Sequence, residues 1–219
     1  MKKIFILFAA ISFISLGKIY AYDDGDFQVW NIENQEFNIT KKTKVALEEE
    51  FRWGDNARDF YYHHYDLGLV HSLNKYLSVG GGYRQVYEKK KGKFKEENEP
   101  YGLVALFGDL AGWKFDSRNR LEYRHFDYQT DSWRYRNKFT VRTPWKFTKL
   151  EIQPFVGDEI FFDLTAETLN KNRAYAGLAF TLLKNLKEEI YYLLETSKSS
   201  TTCVWTDTNV LVTKLKLSF

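Results

Sequence analysis

The stretch 133-WRYRNKFTVRT-143 alternates with a period of two residues. Trp133, Tyr135, Phe139 and Val141 share one face with Asn137, while Arg134, Arg136, Lys138, Thr140 and Arg142 share the other. A helix would scatter these side chains around its circumference, whereas a strand places residues i and i+2 on one side. The same alternation separates Val45, Leu47, Phe51 and Trp53, with Glu49 among them, from Ala46, Glu48, Glu50 and Arg52. It recurs where Arg118, Arg120, Glu122 and Arg124 stand opposite Leu121 and Tyr123. One face of each segment is apolar and the other is crowded with charge. A soluble barrel turns the apolar face inward, and a membrane barrel turns it toward lipid.

Composition narrows the classes. The chain has 219 residues, 32 Lys+Arg against 29 Asp+Glu, and 18% aromatic residues. The balanced charge and 44% hydrophobic content oppose disorder, and no strong basic excess points to nucleic acid. Cys203 is the single cysteine, so no disulfide forms within the chain; it reads as a tolerated surface residue. Lys2 and Lys3, the apolar run Ile4–Leu16 and Ile19-Tyr20-Ala21 have the layout of a secretory signal peptide over residues 1–21. Export, a Lys-rich n-region and alternating strands lead to the outer membrane of a Gram-negative bacterium as the expected location.

The connections support this expectation. Short links fall near Lys41–Thr43, Ser72–Lys75, Asp109–Gly112, Pro144–Lys146 and Lys184–Leu186. Longer polar links, Gly54–Phe60, Glu88–Glu99, Asp127–Ser132, Asp163–Lys171 and Ser197–Trp205, fall between them. Such alternation suits periplasmic turns and extracellular loops. Strands are expected near 44–53, 61–71, 76–87, 100–108, 113–126, 133–143, 147–162, 172–183, 187–196 and 206–219. The expected fold is an all-β, antiparallel, up-and-down transmembrane barrel of about ten strands over 44–219. Residues 22–43 are an N-terminal leader, or add a hairpin over 27–40 to make about twelve. Trp53, Tyr61, Tyr76, Trp113, Trp133, Trp145 and Phe161 are the expected interfacial aromatics. The last strand ends in Phe219, which resembles the signal read by bacterial barrel-assembly machinery.

Seven blocks carry a family resemblance: 48-EEEFRWGDNARDFYYHHYDLGL-69, 79-VGGGYRQVYEK-89, 119-NRLEYR-124, 134-RYRNKFTVRTPWK-146, 152-IQPFVGDEIFFD-163, 170-NKNRAYAGL-178 and 205-WTDTNVLVTKLKLSF-219. Together they resemble an uncharacterised bacterial outer-membrane family known as domain of unknown function 2490. The resemblance implies an outer-membrane β-barrel and brings no activity or catalytic residues with it. One departure is Glu99 before Pro100, where members often carry Arg.

On this facing, the lumen collects Glu48, Glu50, Arg52, His64, Asp66, Arg84, Arg118, Arg120, Glu122, Arg124, Arg134, Arg136, Lys138, Arg142, Glu159 and Arg173. Glu151, Gln153, Glu189 and Glu195 extend the set, with Gly80, Gly82, Gly102 and Gly177 leaving room for long side chains. The leading function is a narrow polar channel for small anionic solutes, because Arg and Lys rings select anions. The alternative is a closed barrel filled by ion pairs, with a structural or surface-interaction role. A lipid or ester hydrolase using a rim histidine is a more distant alternative. His64 and Asp66 share a strand face, yet no Ser-bearing G-x-S-x-G accompanies them, and the expectation is no enzyme. No cofactor and no metal are expected, since His63 and His64 point to opposite faces. The expected partners are outer-membrane lipid, the assembly machinery and a small anionic solute, with no nucleic acid.

Overall fold

The computed structural model describes residues 24–199 and 203–219. The expected signal peptide lies outside the described residues. Eleven strands form a closed barrel: β1 (Asp26–Asn38), β2 (Thr43–Gly54), β3 (Asp59–Ser72), β4 (Leu77–Lys90), β5 (Lys93–Leu110), β6 (Trp113–Phe126), β7 (Ser132–Arg142), β8 (Gln153–Asp163), β9 (Thr168–Leu183), β10 (Leu186–Lys198) and β11 (Trp205–Ser218). Sequential neighbours pair antiparallel, and the barrel closes where β1 pairs parallel with β11, from Asp26↔Thr208 to Glu36↔Ser218. Closure leaves no free sheet edge, so every strand has a hydrogen-bonded neighbour on both sides.

The additional strand is β1. The segment 27–40 is neither a leader nor a hairpin but one continuous strand within the barrel. Asp26, Gln28, Trp30 and Ile32 are buried at alternate positions along it. With an odd number of strands, the first and last must run in the same direction. The chain therefore enters β1 at one end of the barrel and finishes β11 at the other.

The link lengths do not alternate in the structure. The polar run 88–99 is largely hairpin: β4 and β5 remain paired out to Lys90↔Lys93 around Lys91 and Gly92. Both turn residues have positive φ, 51° and 81°, the local geometry that matches the twist of paired strands. Conversely, the link expected at Pro144–Lys146 spans residues 143–152 and folds into a small loop through a Phe147↔Ile152 bridge. Strand β8 therefore begins at Gln153 rather than 147.

The two faces of the sheet differ sharply. Outside, Leu67, Leu69, Leu106, Leu121, Val156, Leu178 and Ile190 are exposed on strands around the barrel. Inside, charged residues share the space with an apolar sector made by Trp30, Ile32, Phe155, Tyr175, Tyr191, Leu193, Val210 and Val212. That sector lines β1 and β8–β11, where residues from neighbouring strands interdigitate. On β4, Gly82 makes room for Tyr101 of β5: a Cβ there would lie 2.4 Å from the Tyr101 hydroxyl and 2.5 Å from the Leu67 carbonyl. Gly102 instead faces outward, because Leu103 and Ala105 fill the inner positions of β5.

Candidate functional site: an ion-paired layer and an open vestibule

Alternation brings Asp66 on β3 and Arg84 on β4 to directly opposed inner positions. Arg84 donates to Asp66 Oδ2 through Nε (3.0 Å) and Nη2 (2.8 Å). Arg120 of β6 reaches the same oxygen at 3.2 Å, and the Tyr101 hydroxyl donates to Oδ1 at 2.6 Å. The Arg120 guanidinium lies 4.1 Å from the centre of the Tyr101 ring. Four strands thus converge on one buried carboxylate. Burying these charges is tolerable only because each gains close opposite charge or hydrogen bonds.

A second chain of contacts continues around the lumen. Arg134 donates to Glu99 (2.6 Å) and Glu122 (2.6 Å), and Arg136 donates to Glu159 (2.6 Å). Arg173 bridges Glu159 (3.4 Å) and Glu195 (2.7 Å), and Lys171 also donates to Glu195 (3.0 Å). Arg124 binds Glu97 and lies 3.4 Å from Glu99. Arg52 donates to Glu50 (2.6 Å) with its guanidinium between the rings of Trp30 (3.8 Å) and Tyr62 (3.9 Å). Phe161 packs beneath Arg173 (4.8 Å) and Arg136 (4.9 Å). These contacts fill the lumen toward the end bearing the β4–β5 and β6–β7 turns, leaving a space of about 90 Å³ among them.

Toward the opposite end the lumen widens into a cavity of about 820 Å³. Lys42, Leu73, Asn74 and Lys75 of the turns form its mouth, and Asp66 and Arg120 its floor. Nine Lys or Arg residues and five Asp or Glu residues line it, an excess of four positive charges. Several are paired within the wall: Lys214 with Glu48 (2.6 Å), Arg142 with Glu189 (2.8 Å) and Lys216 with Glu189 (2.7 Å). Arg118 and Lys138 line the same cavity.

The expected lumen residues occupy two zones. Arg84, Arg124, Arg134, Arg136, Glu122, Glu159, Arg173, Glu50 and Arg52 belong to the ion-paired layer. Glu48, Arg118, Lys138 and Arg142 belong to the vestibule, and Asp66 and Arg120 separate the two. Glu151 differs from the expectation: it lies in the β7–β8 link and binds Lys146 at 3.0 Å. Tyr61 and Phe161 also differ, being buried inside the barrel rather than placed at a membrane interface. Tyr61 donates to Gln28 at 2.6 Å, a partner supplied by the unexpected strand β1.

Sequence reading missed Glu97 and Glu99, both buried and central to the layer. Counting back by twos along β5 from Leu103 through Tyr101 would have found them, but the surrounding Lys-rich run gave a loop reading. Trp30 was missed with β1 itself.

His64 and Asp66 share the inner face but take separate partners. His64 Nδ1 lies 3.1 Å from the Tyr62 hydroxyl, and Nε2 is buried without a hydrogen bond. Glu48 and Glu50 approach the two ring nitrogens at 3.8 Å each. Among the described residues these three form the one trio with donor atoms within 4.8 Å of one another. A cation there would compete with Lys214 for Glu48 and with Arg52 for Glu50. His63 points the other way and stacks on Tyr87 at 4.8 Å.

Comparison with known proteins finds one family, described as a protein of unknown function (DUF2490), whose profile matches residues 27–206. No curated protein and no solved structure matches the chain. The match runs from the start of β1 to the start of β11 and so takes in nearly the whole barrel. The chain belongs to the DUF2490 family.

Proposed function

We propose that this protein is an outer-membrane barrel that admits small anionic solutes into a cationic vestibule, with the ion-paired layer as the constriction of a narrow polar channel. The observation that carries this reading is the 820 Å³ cavity, open at one end and lined with four more positive than negative charges. A concave site lined by one predominant sign focuses its field and concentrates counter-ions. Arg-rich constrictions favour anions over cations. Membrane residence draws on the outward apolar side chains around the barrel and on exposed aromatics such as Tyr76, Trp133 and Trp145. The strand ending in Phe219 serves as the handle for assembly machinery. With the β4–β5 hairpin outside the cell, the vestibule faces the periplasm.

The test is conductance across planar bilayers, with heat-modifiable gel mobility as the control for folding. Small, discrete, anion-selective steps are expected, and Arg136→Ala should weaken the selectivity by removing a cation from the constriction. Absence of steps from protein shown to be folded would mean a lumen closed by its ion pairs and would end the channel reading.

A further inference from the structure

Arg118 on β6 and Lys138 on β7 are directly opposed in the antiparallel register, and both line the vestibule. Opposed residues have Cβ atoms only about 4.5–5.5 Å apart, and like charges there are destabilising. A second basic pair, Arg120↔Arg136, stands next to it on the same strands. In that pair each member has its own acid: Arg120 reaches Asp66 (3.2 Å), and Arg136 reaches Glu159 (2.6 Å). Arg118 and Lys138 have no acid to themselves: Lys138 stands opposite Glu159 on β8, but that carboxylate is held by Arg136 and Arg173. Neither makes an ion pair or a hydrogen bond among the described residues; Lys138 Nζ lies 4.8 Å from the centre of the Tyr175 ring.

The surrounding acids are committed elsewhere. Glu48 binds Lys214 (2.6 Å), Glu159 binds Arg136 and Arg173, and Glu189 binds Arg142 and Lys216. Asp116, two residues from Arg118 on the same strand, lines the cavity and pairs with neither cation. Arg120 adds a third unsatisfied donor, since its buried Nε has no acceptor. Two facing cations with no acid within ion-pair distance, beside an orphaned guanidinium N–H and an open cavity, leave a place for a negative partner from outside the chain.

We propose that Arg118 and Lys138 form an oxyanion site for a phosphate monoester, whose dianionic head matches the two cations. The guanidinium supplies paired N–H donors and the ammonium a point charge, a combination suited to phosphate oxygens. Phe155, Tyr175 and Tyr191 line the same cavity and offer an aromatic wall to the body of the ester. The volume falls within the range of small-molecule pockets, about 300–1,000 Å³. The inference rests on the vestibule reading above but does not require that solute pass through the barrel.

The experiment uses the full chain expressed in a Gram-negative host and purified in detergent. Glucose 6-phosphate and inorganic phosphate are titrated calorimetrically at fixed ionic strength, with gluconate and glucose as controls. Saturable binding of glucose 6-phosphate is expected, weaker for inorganic phosphate and gluconate and absent for glucose. Arg118→Gln and Lys138→Gln should each lower the affinity by about tenfold or more, the loss of one charged hydrogen-bonding partner. Without ligand, Arg118→Gln should melt above the wild type, because its repulsion with Lys138 is relieved. Folded wild type that binds no phosphate, or variants that bind as tightly as wild type, would overturn the site. Stronger binding of gluconate would assign it to carboxylates instead and refute the phosphate assignment. Conductance without phosphate binding would remove this site and leave the channel; binding without conductance would do the reverse.

Discussion

The ring of Phe219, the last residue of the chain, stacks on Phe37 of the first strand, with centroids 4.9 Å apart and planes inclined by 6°. The backbone completes the clasp: Phe219 N donates to Glu36 O (2.8 Å), and Asn38 N donates to Phe219 O (3.2 Å). The end of β1 and the residue after β11 thereby meet at the parallel seam that closes the barrel. A stacked aromatic pair contributes about 0.5–1.5 kcal/mol beyond its buried area. Phe219→Ala and Phe37→Ala should each destabilise the folded barrel, and the double variant should cost less than the sum by about that coupling. Urea titration followed by gel mobility measures it, and strict additivity would show that the stack contributes nothing.

Glu122 is fully buried between Arg134 (2.6 Å) and Arg136 (3.7 Å). Its removal takes one of two acids from each guanidinium, leaving Arg134 on Glu99 and Arg136 on Glu159. Glu122→Ala should destabilise the barrel by about 3–5 kcal/mol, the usual consequence of breaking a buried ion pair on one side. Lys146→Ala removes an exposed pair with Glu151 and should cost under about 1 kcal/mol. Comparable losses from both would mean that burial adds little at Glu122.

Two glycines of adjacent strands make a matched comparison. A Cβ on Gly82 would overlap the Tyr101 hydroxyl and the Leu67 carbonyl, whereas one on Gly102 would meet nothing within 4 Å. Gly82→Ala should destabilise by about 1–3 kcal/mol, as overpacking does. It should also displace Tyr101 from Asp66, loosening the floor of the vestibule. Gly102→Ala should be close to neutral. Chemical denaturation of both variants decides it, and equal midpoints would refute the close packing.

Asp131, in the β6–β7 link, accepts hydrogen bonds from the Tyr123 hydroxyl (2.6 Å), His125 Nδ1 (3.0 Å) and Phe126 N (3.2 Å). These bonds, with the Tyr123 hydroxyl first, lower its pKa from 3.8 to about 2. A carboxyl group depressed in the folded state stabilises the loop above its unfolded pKa and loses that contribution as pH falls through the folded value. Loop order should therefore persist at pH 4 and fade toward pH 2. The Trp133 ring packs against Tyr123 with centroids 5.1 Å apart and reports on it by fluorescence. The transition should be absent in Asp131→Asn; an identical acid profile in that variant would show that Asp131 does not hold the loop.

The period-two alternation of segments such as 133–143 and 118–124 determined strand type and facing without help from the rest of the chain. Facing is a local property, because each residue's side follows from its parity along the strand. The basic strands β6 and β7, and the inward direction of Arg120, Glu122, Arg134 and Arg136, were legible on that ground. The eleventh strand and the parallel closure between β1 and β11 were not. Strand β1 becomes part of the barrel only through its neighbours β2 and β11, partners beyond its own sequence. The Lys-rich tip between β4 and β5 resembled a loop because polarity there reflects solvent exposure, which a projecting hairpin shares with a loop. Whether a lumenal charge is paired depends on which side chains meet across the barrel and how far each reaches. Arg136 meets Glu159 while Arg118 meets no acid, although both belong to the same alternating pattern. That difference, the basis of the proposed phosphate site, was decided by tertiary structure alone.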